Sequence, residues 1–318
     1  MTNSLSCVVD MTSSAPTVTH VIPGRVPVTG VTSLGNDVFV VRFNSPQVEV
    51  YGAETFTLQR RLPVTGLGES YGLAACASNQ CLYASDYDND CVHRVELTGS
   101  NAVTRWSVGS GPVGLTVNSD KNVLVVIQGK RKLQQFTTHG SLLRTIRLER
   151  DIESPSQVIQ LSSGQFVISH SGDTQHRVCL VDDKGAVVRS YPSCGSKMRM
   201  DKPAGLAVDE HGNILVADSR NDRLLVLNPT LTGARAMSVS VDGDLEEPYS
   251  LWYDKSRARL YVGVGGENRV IVVDHLKDFT ANYVHRLPQW RSQECELGGL
   301  PSLAPFLSFP SPFPSLPF

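Results

Sequence analysis

The sequence predicts an all-β fold, a six-bladed β-propeller of four-stranded antiparallel blades, on three observations. A short strand pattern recurs six times at intervals of roughly 40 to 48 residues, the period of a four-stranded blade. Several of the recurring strands are apolar on both faces, as a sheet sandwiched between two others requires. No long helical pattern separates them, which argues against an α/β arrangement.

In chain order, the second and third strands read VFVVRFNSPQVEVY from Val38, LYASDYDNDCVHRV from Leu82 and VLVVIQGKRKLQQF from Val123. A version two residues longer starts at Phe166, and further units start at Ile214 and Leu260. Fourth strands are expected at Gln59–Pro63, Val103–Val108, Leu142–Leu148, Ala186–Tyr191, Ala234–Val241 and Asn282–Leu287. Thr17–Ile22 also reads as a fourth strand, with no third strand before it. It could cover the outer edge of blade six in competition with Tyr283–Leu287 and so remove an exposed edge. The propeller is assigned to residues 15–290 as one closed domain, between a disordered segment at 1–14 and a disordered Leu/Pro/Ser/Phe-rich tail at 291–318.

Blade five shows the unit most completely, as KPAGLAVDEHGNILVADSRNDRLLVL from Lys202 to Leu227. Pro203 and Gly205 open a short apolar strand, the turn Glu210–Gly212 leads to the strand Ile214–Ala217, and the polar loop Asp218–Asp222 leads to Leu224–Leu227. Gly and Asn supply the positive φ that tight hairpin turns need. This stretch resembles the NHL repeat of tripartite-motif proteins and their relatives, strongly in blades five and two, fairly in blade six and weakly in the others. The resemblance implies an interaction platform, with substrate recruitment by a ubiquitin ligase as its larger context. No RING or B-box Cys/His array and no coiled-coil heptads are present in this sequence, so ligase activity would have to come from another chain or from a missing N-terminal part.

Charged residues make up 19% of the chain and the net charge is −2, so no whole-chain field attracts nucleic acid or anionic lipid. The N-terminal segment lacks the basic start and apolar core of a secretory signal, and no run approaches the ~18 apolar residues of a membrane span. A cytoplasmic location is therefore expected, with no membrane partner. Seven cysteines, an odd number, then argue for reduced thiols. Cys76, Cys81, Cys91 and His93 form C-x4-C-x9-C-x-H, which has zinc-ligand residue types but not a zinc-knuckle spacing. Buried thiols, a Cys76–Cys81 cross-strand disulfide and a zinc site stay open in that order of preference, and no metal or other cofactor is assigned. The tail from Leu300 contains only Leu, Pro, Ser and Phe apart from Ala304, residues encoded by all-pyrimidine codons, which points to a translated pyrimidine tract or faulty gene model. Its prolines forbid helix or central strand, and it lacks the Arg or Lys that a Pro-rich ligand of an SH3-like groove usually carries.

The repeat register defines two rings of equivalent positions. Asp218 aligns with Arg42, Asp86, Ile127, His170 and Val264, and Arg223 aligns with Gln47, Cys91, Lys132, Arg177 and Arg269. Asp218 and Arg223 stand at the two ends of one loop, and the resemblance implies that they tie it, a structural rather than catalytic role. Gly205 is expected to mark a close backbone approach.

Catalysis on a propeller channel, as in metal-dependent lyases or lactone and ester hydrolases of similar architecture, needs several His, Glu, Asp or Asn side chains converging from different inner strands. The inner strands here offer small or apolar residues, with Asn118, Asp209 and Asp254 at their ends beside turns. The histidines share no ligand spacing. Single-stranded RNA binding needs a basic, partly aromatic face. Lys130, Arg131 and Lys132 in blade three and Lys197, Arg199 and Lys202 after blade four supply a basic sector, and acidic loops make the sectors beside it. Such a dipolar face suits a protein or peptide partner better than a polyanion. These six basic residues are the candidate partner-binding set, with RNA as the alternative ligand.

Overall fold

The structure, a computed structural model, describes residues 16–173, 175–193, 196, 198–239, 245–276, 279 and 280. These residues form six four-stranded antiparallel sheets arranged as propeller blades. Their innermost strands are Val28–Leu34, Leu73–Cys76, Pro112–Val117, Pro155–Gln160, Pro203–Val208 and Pro248–Asp254. Among the described residues no helix is long and apolar enough to cross a membrane.

The strand patterns follow from where each strand sits. Second strands such as Val123–Ile127 and Ile214–Asp218 are buried at every residue, because both faces meet a neighbouring sheet. Fourth strands such as Leu58–Pro63 are mostly exposed. The buried apolar residues fall into six clusters, each filling the gap between two adjacent blades; the last packs Ile22, Tyr261, Val270 and Val272 of blade six against Val38 and Val40 of blade one. Each blade therefore depends on both neighbours, and no blade has a core of its own.

Ring closure is made by the N-terminal strand. Thr17–Ile22 pairs antiparallel with Arg269–Asp274, with Thr17 opposite Asp274 and Ile22 opposite Val270. The outer strand of blade six thus comes from one end of the described chain and its three inner strands from the other. The competing segment Tyr283–Leu287 lies outside the described residues, as do the segment 1–14 and the tail 291–318. A second latch sits on the seam. Arg42 donates from Nη1 to the carbonyls of Val26, at 3.0 Å, and Asn268, at 2.9 Å, while its Nε is held by Glu49 at 2.7 Å.

Three fourth strands end short of expectation, that of blade five at Met237, that of blade three at Arg147 and that of blade two at Ser107, because the ladder with the third strand stops there. Cys76 and Cys81 face each other across a hairpin, yet both are buried free thiols, as are Cys91 and Cys179.

Candidate functional site

The loops joining second to third strands, and each blade to the next, gather on one face, here called the upper face. At its centre the inner strands pinch together. Five of the six inner strands carry a register irregularity near their upper end, and in three of these Gly30, Gly114 and Gly205 stand at or within it. A Cβ added to Gly205 would lie 2.6 Å from the carbonyl oxygen of Tyr249 and 2.8 Å from the amide nitrogen of Leu251. Gly72 meets the carbonyl of Val113 in the same way, at 2.7 Å. These approaches leave a void of about 20 Å³ between the strands, about the room of one water molecule.

Below this neck the channel widens to a cavity of about 430 Å³ that opens on the opposite face. Its walls are mainly Leu, Val, Ala and Ile from the inner strands, with Thr116, Asn118, Gln160, Trp252 and Lys255 among the polar or amphipathic residues. Among the described residues that line it there is no Asp, Glu or His. Asn118 donates to Gln160 at 2.7 Å and accepts from the amide of Asn122, so it closes its own turn. Asp209 and Asp254 are likewise turn caps: Asp209 accepts from the amides of His211 and Asn213, and Asp254 from Ser33, Ser256 and Arg257. Burial alone would raise the Asp254 carboxyl, but the bonds from Ser256, Ser33 and Arg257 hold it below the usual range.

On the upper side of the neck lies an aromatic cluster. Tyr71 meets Tyr87 edge-on at 5.7 Å, with Phe43 at 6.4 Å and Tyr249 at 6.5 Å from its ring centre. Tyr71 is oriented by donating its hydroxyl to Glu69 at 2.8 Å, and burial pushes the Tyr249 phenol up to about 12. Tyr87 is exposed, between Asp86 and Asp88. The repeat register carried the signal for this cluster. Phe43 and Tyr87 both follow the last residue of a second strand, and Tyr71 and Tyr249 both precede a small residue, Gly72 just before one inner strand and Ser250 within another.

The structure places Lys130 and Arg131 exposed on a short 3-10 turn of blade three, with Lys132 half-buried at the start of the next strand. Arg131 takes a left-handed conformation and reaches the carbonyl of Arg150 at 3.4 Å. Arg199 and Lys202 are exposed on the loop entering blade five, and Lys197 lies outside the described residues. In ring order these two groups are separated by the exposed Glu149, Asp151 and Glu153 and by blade four. The basic set is therefore two patches, not one continuous sector.

Gly205, Asp218 and Arg223 belong to the frame. Asp218 has no exposed surface and accepts from the amide of Asp201 at 2.8 Å, from Asn221 Nδ2 at 2.9 Å and from Arg223 Nε at 2.7 Å. Asp86, its equivalent in blade two, repeats the cradle: the amide of Gly68 donates at 3.1 Å and Asn89 Nδ2 at 2.9 Å. Where Arg223 would stand, blade two has Cys91, and His93 approaches instead, its Nε2 2.8 Å from Asp86 Oδ2. Burial pushes the Cys91 thiol up to about 11, and the Asp86 carboxylate adds to that rise. Cys91 and Asp86 both contact Nε2 of His93, whereas a nucleophilic triad places nucleophile and carboxylate on opposite ring nitrogens. The cluster is thus not arranged for nucleophilic catalysis.

Comparison with known proteins agrees with this architecture. Residues 200–227 match the NHL repeat family. No curated protein matches the chain in sequence. Among solved structures, virginiamycin B lyase from Staphylococcus aureus superposes with a TM-score of 0.59 at 8% identity, over 78% of this chain and 94% of that one. Hydrazine synthase from Kuenenia stuttgartiensis gives 0.59 at 14% identity, over 79% and 96%. A protein of unknown function from Bacteroides thetaiotaomicron gives 0.62 at 16%, over 78% and 69%. At such identities the likeness is one of fold alone. The chain is a six-bladed β-propeller whose fifth blade matches the NHL repeat.

Proposed function

We propose that the chain is a non-catalytic platform that binds a protein or peptide on the upper face of the propeller. The observation that carries this reading is the aromatic cluster of Phe43, Tyr71, Tyr87 and Tyr249 over a closed neck, with carboxylates on its own side and the Lys130–Lys132 turn on blade three. Aromatic side chains give contact area at low entropic cost, and flanking patches of opposite sign give orientation and specificity. Against catalysis, the described residues that line the 430 Å³ channel cavity include no carboxylate or imidazole that could act as acid, base or metal ligand. The four buried free thiols support a reducing, cytoplasmic setting. Recruitment of a substrate to a ubiquitin ligase on another chain is the larger role that the NHL match suggests.

Single-stranded RNA is the second reading, favoured by the same aromatic rings together with the Lys130–Lys132 turn. Glu69, Asp88 and Asp90 stand beside those rings and would repel phosphates. A salt titration with single-stranded oligonucleotides decides between them. Affinity in the non-specific range of roughly 10⁻⁴ to 10⁻⁶ M supports the protein reading. Submicromolar, sequence-dependent binding, with a log-log salt slope of about −0.7 per phosphate contacted, overturns it in favour of RNA. Turnover of a lactone or ester by the purified chain would favour an enzyme on the fold that virginiamycin B lyase shares.

A further inference from the structure

Among the described residues, Asp86, Cys91 and His93 bring one carboxylate oxygen, one sulfur and one imidazole nitrogen within 4.8 Å of one another, and all three side chains are buried. The two strands explain the convergence. Asp86 ends the second strand of blade two directly opposite Cys91, and His93 lies two residues further along, on the same face as Cys91. His93 Nε2 stands 2.8 Å from Asp86 Oδ2 and 3.5 Å from Cys91 Sγ. Bonds of about 2.0 Å to nitrogen or oxygen and about 2.3 Å to sulfur would fit between these atoms after an outward shift of a few tenths of an ångström.

Charge supplies the second argument. In blade five the equivalent carboxylate, Asp218, faces the fixed positive charge of Arg223 at 2.7 Å. In blade two that register position is Cys91, which carries no positive charge, and Asp86 is equally without exposed surface. Its oxygens accept from the amide of Gly68 at 3.1 Å and from Asn89 Nδ2 at 2.9 Å, and His93 Nε2 lies 2.8 Å away, so the carboxylate is held in place among neutral groups. A fully buried anion calls for a cation. A divalent ion bound by a carboxylate, a thiolate and a neutral imidazole makes a unit of zero net charge, with two negative ligands against two positive charges.

We propose that Asp86, Cys91 and His93 form a binding site for a borderline-soft divalent cation of the zinc class, which stands in blade two where the guanidinium of Arg223 stands in blade five. On binding, the ion takes the place of the Cys91 thiol proton and of any proton on His93 Nε2, and both protons leave to solvent. One nitrogen, one sulfur and one oxygen donor match zinc, and disfavour magnesium or calcium, which take oxygen. A groove between the outer parts of blades one and two, lined by Thr65, Gly66 and Arg105, ends against His93. The role is structural: the ion ties the second-to-third-strand loop, as the Asp218–Arg223 pair does in its own blade.

The test uses the full chain, stripped with chelator under reducing conditions and titrated with Co²⁺ and then Zn²⁺. The expected result is about one tightly held ion per chain, with a near-ultraviolet thiolate-to-cobalt band and a higher melting midpoint in zinc. Cys91→Ser is expected to remove the band and to weaken binding by more than about 100-fold, since loss of even an outer-shell partner costs 10–100-fold. The triple variant Cys7→Ser/Cys194→Ser/Cys295→Ser is expected to keep both, which separates this site from the three cysteines outside the described residues. A folded wild type that shows no thiolate-to-cobalt band overturns the proposal, and so does a band that survives Cys91→Ser or vanishes in the triple variant. Should Cys91→Ser fail to fold, the wild type decides by itself: an unchanged midpoint in zinc also overturns the site.

Discussion

Arg223 donates its Nε–H to Oδ2 of Asp218 at 2.7 Å, closing a loop whose carboxylate is fully buried and whose guanidinium is partly solvated. The same guanidinium also donates to the carbonyl of Arg199, so one side chain ties blade five's own loop to the segment that enters the blade. The two losses on removing either partner are unequal. Arg223→Ala strands a buried anion, whereas Asp218→Ala leaves a cation that can reach water. Arg223→Ala is expected to cost about 1–3 kcal/mol, less than a fully buried pair because Arg223 is partly exposed. Urea denaturation of both single variants and the double variant checks the pair, and the double loss should fall short of the sum by at least ~0.5 kcal/mol. Additive losses would mean that the two residues do not couple.

Gly205 tests the neck of the channel. Any side chain there meets the backbone of the next inner strand, at Tyr249 and Leu251, which no rotamer change can move aside. Gly205→Val is expected to destabilise by about 1–3 kcal/mol or more, read as a drop in the thermal midpoint. An unchanged midpoint would contradict the close approach.

Ring closure by Thr17–Ile22 is tested by a chain that begins after residue 22. Its loss exposes the Arg269–Asp274 edge and removes Ile22 from the blade six to blade one cluster. Lower stability and concentration-dependent association through the open edge are expected, measured by thermal melts and light scattering. Full stability of the shortened chain would show that another segment takes the place.

His170 stands in the same ring of positions as Asp218, but burial holds it in its uncharged form. Burial, helped by Arg177, lowers its pKa from 6.5 to about 4. The folded state therefore holds it neutral while the unfolded chain takes up a proton below 6.5. Its contribution to stability is complete above that value and is lost as pH falls from 6.5 towards 4, in total about 3 kcal/mol. Unfolding free energies across this window should fall more steeply for wild type than for His170→Gln. Parallel curves would assign the pH dependence elsewhere.

The blades were legible because their second strands are continuous apolar runs at a fixed period, and Asp218 and Arg223 because they end one loop in the most regular repeat. The seam was less legible, since Thr17–Ile22 and Tyr283–Leu287 carry the same strand pattern and only tertiary pairing shows which segment sits against Arg269–Asp274. In blade two, the Cys and His spacing grouped Cys76, Cys81, Cys91 and His93 and left out Asp86. The cross-strand register instead sets Asp86 opposite Cys91. The aromatic cluster joins residues from blades one, two and six, whose adjacency appears only when the ring closes. The charged surface was read as one basic sector beside acidic ones, whereas the described residues of its two groups lie on separate loops of the same face with Glu149, Asp151 and Glu153 between them.

Affinity capture with the full chain, run with and without nuclease and repeated with Tyr87→Ala combined with Lys130→Glu, Arg131→Glu and Lys132→Glu, tests the platform reading most directly. These four side chains are exposed or half-buried, so the variant should keep the wild-type β circular dichroism and melting midpoint. The expected result is a defined protein retained by wild type through nuclease treatment, confirmed by direct binding of the purified partner, and lost by the variant. Recovery that disappears with nuclease, or a partner held equally by wild type and the folded variant, would contradict a protein-binding upper face.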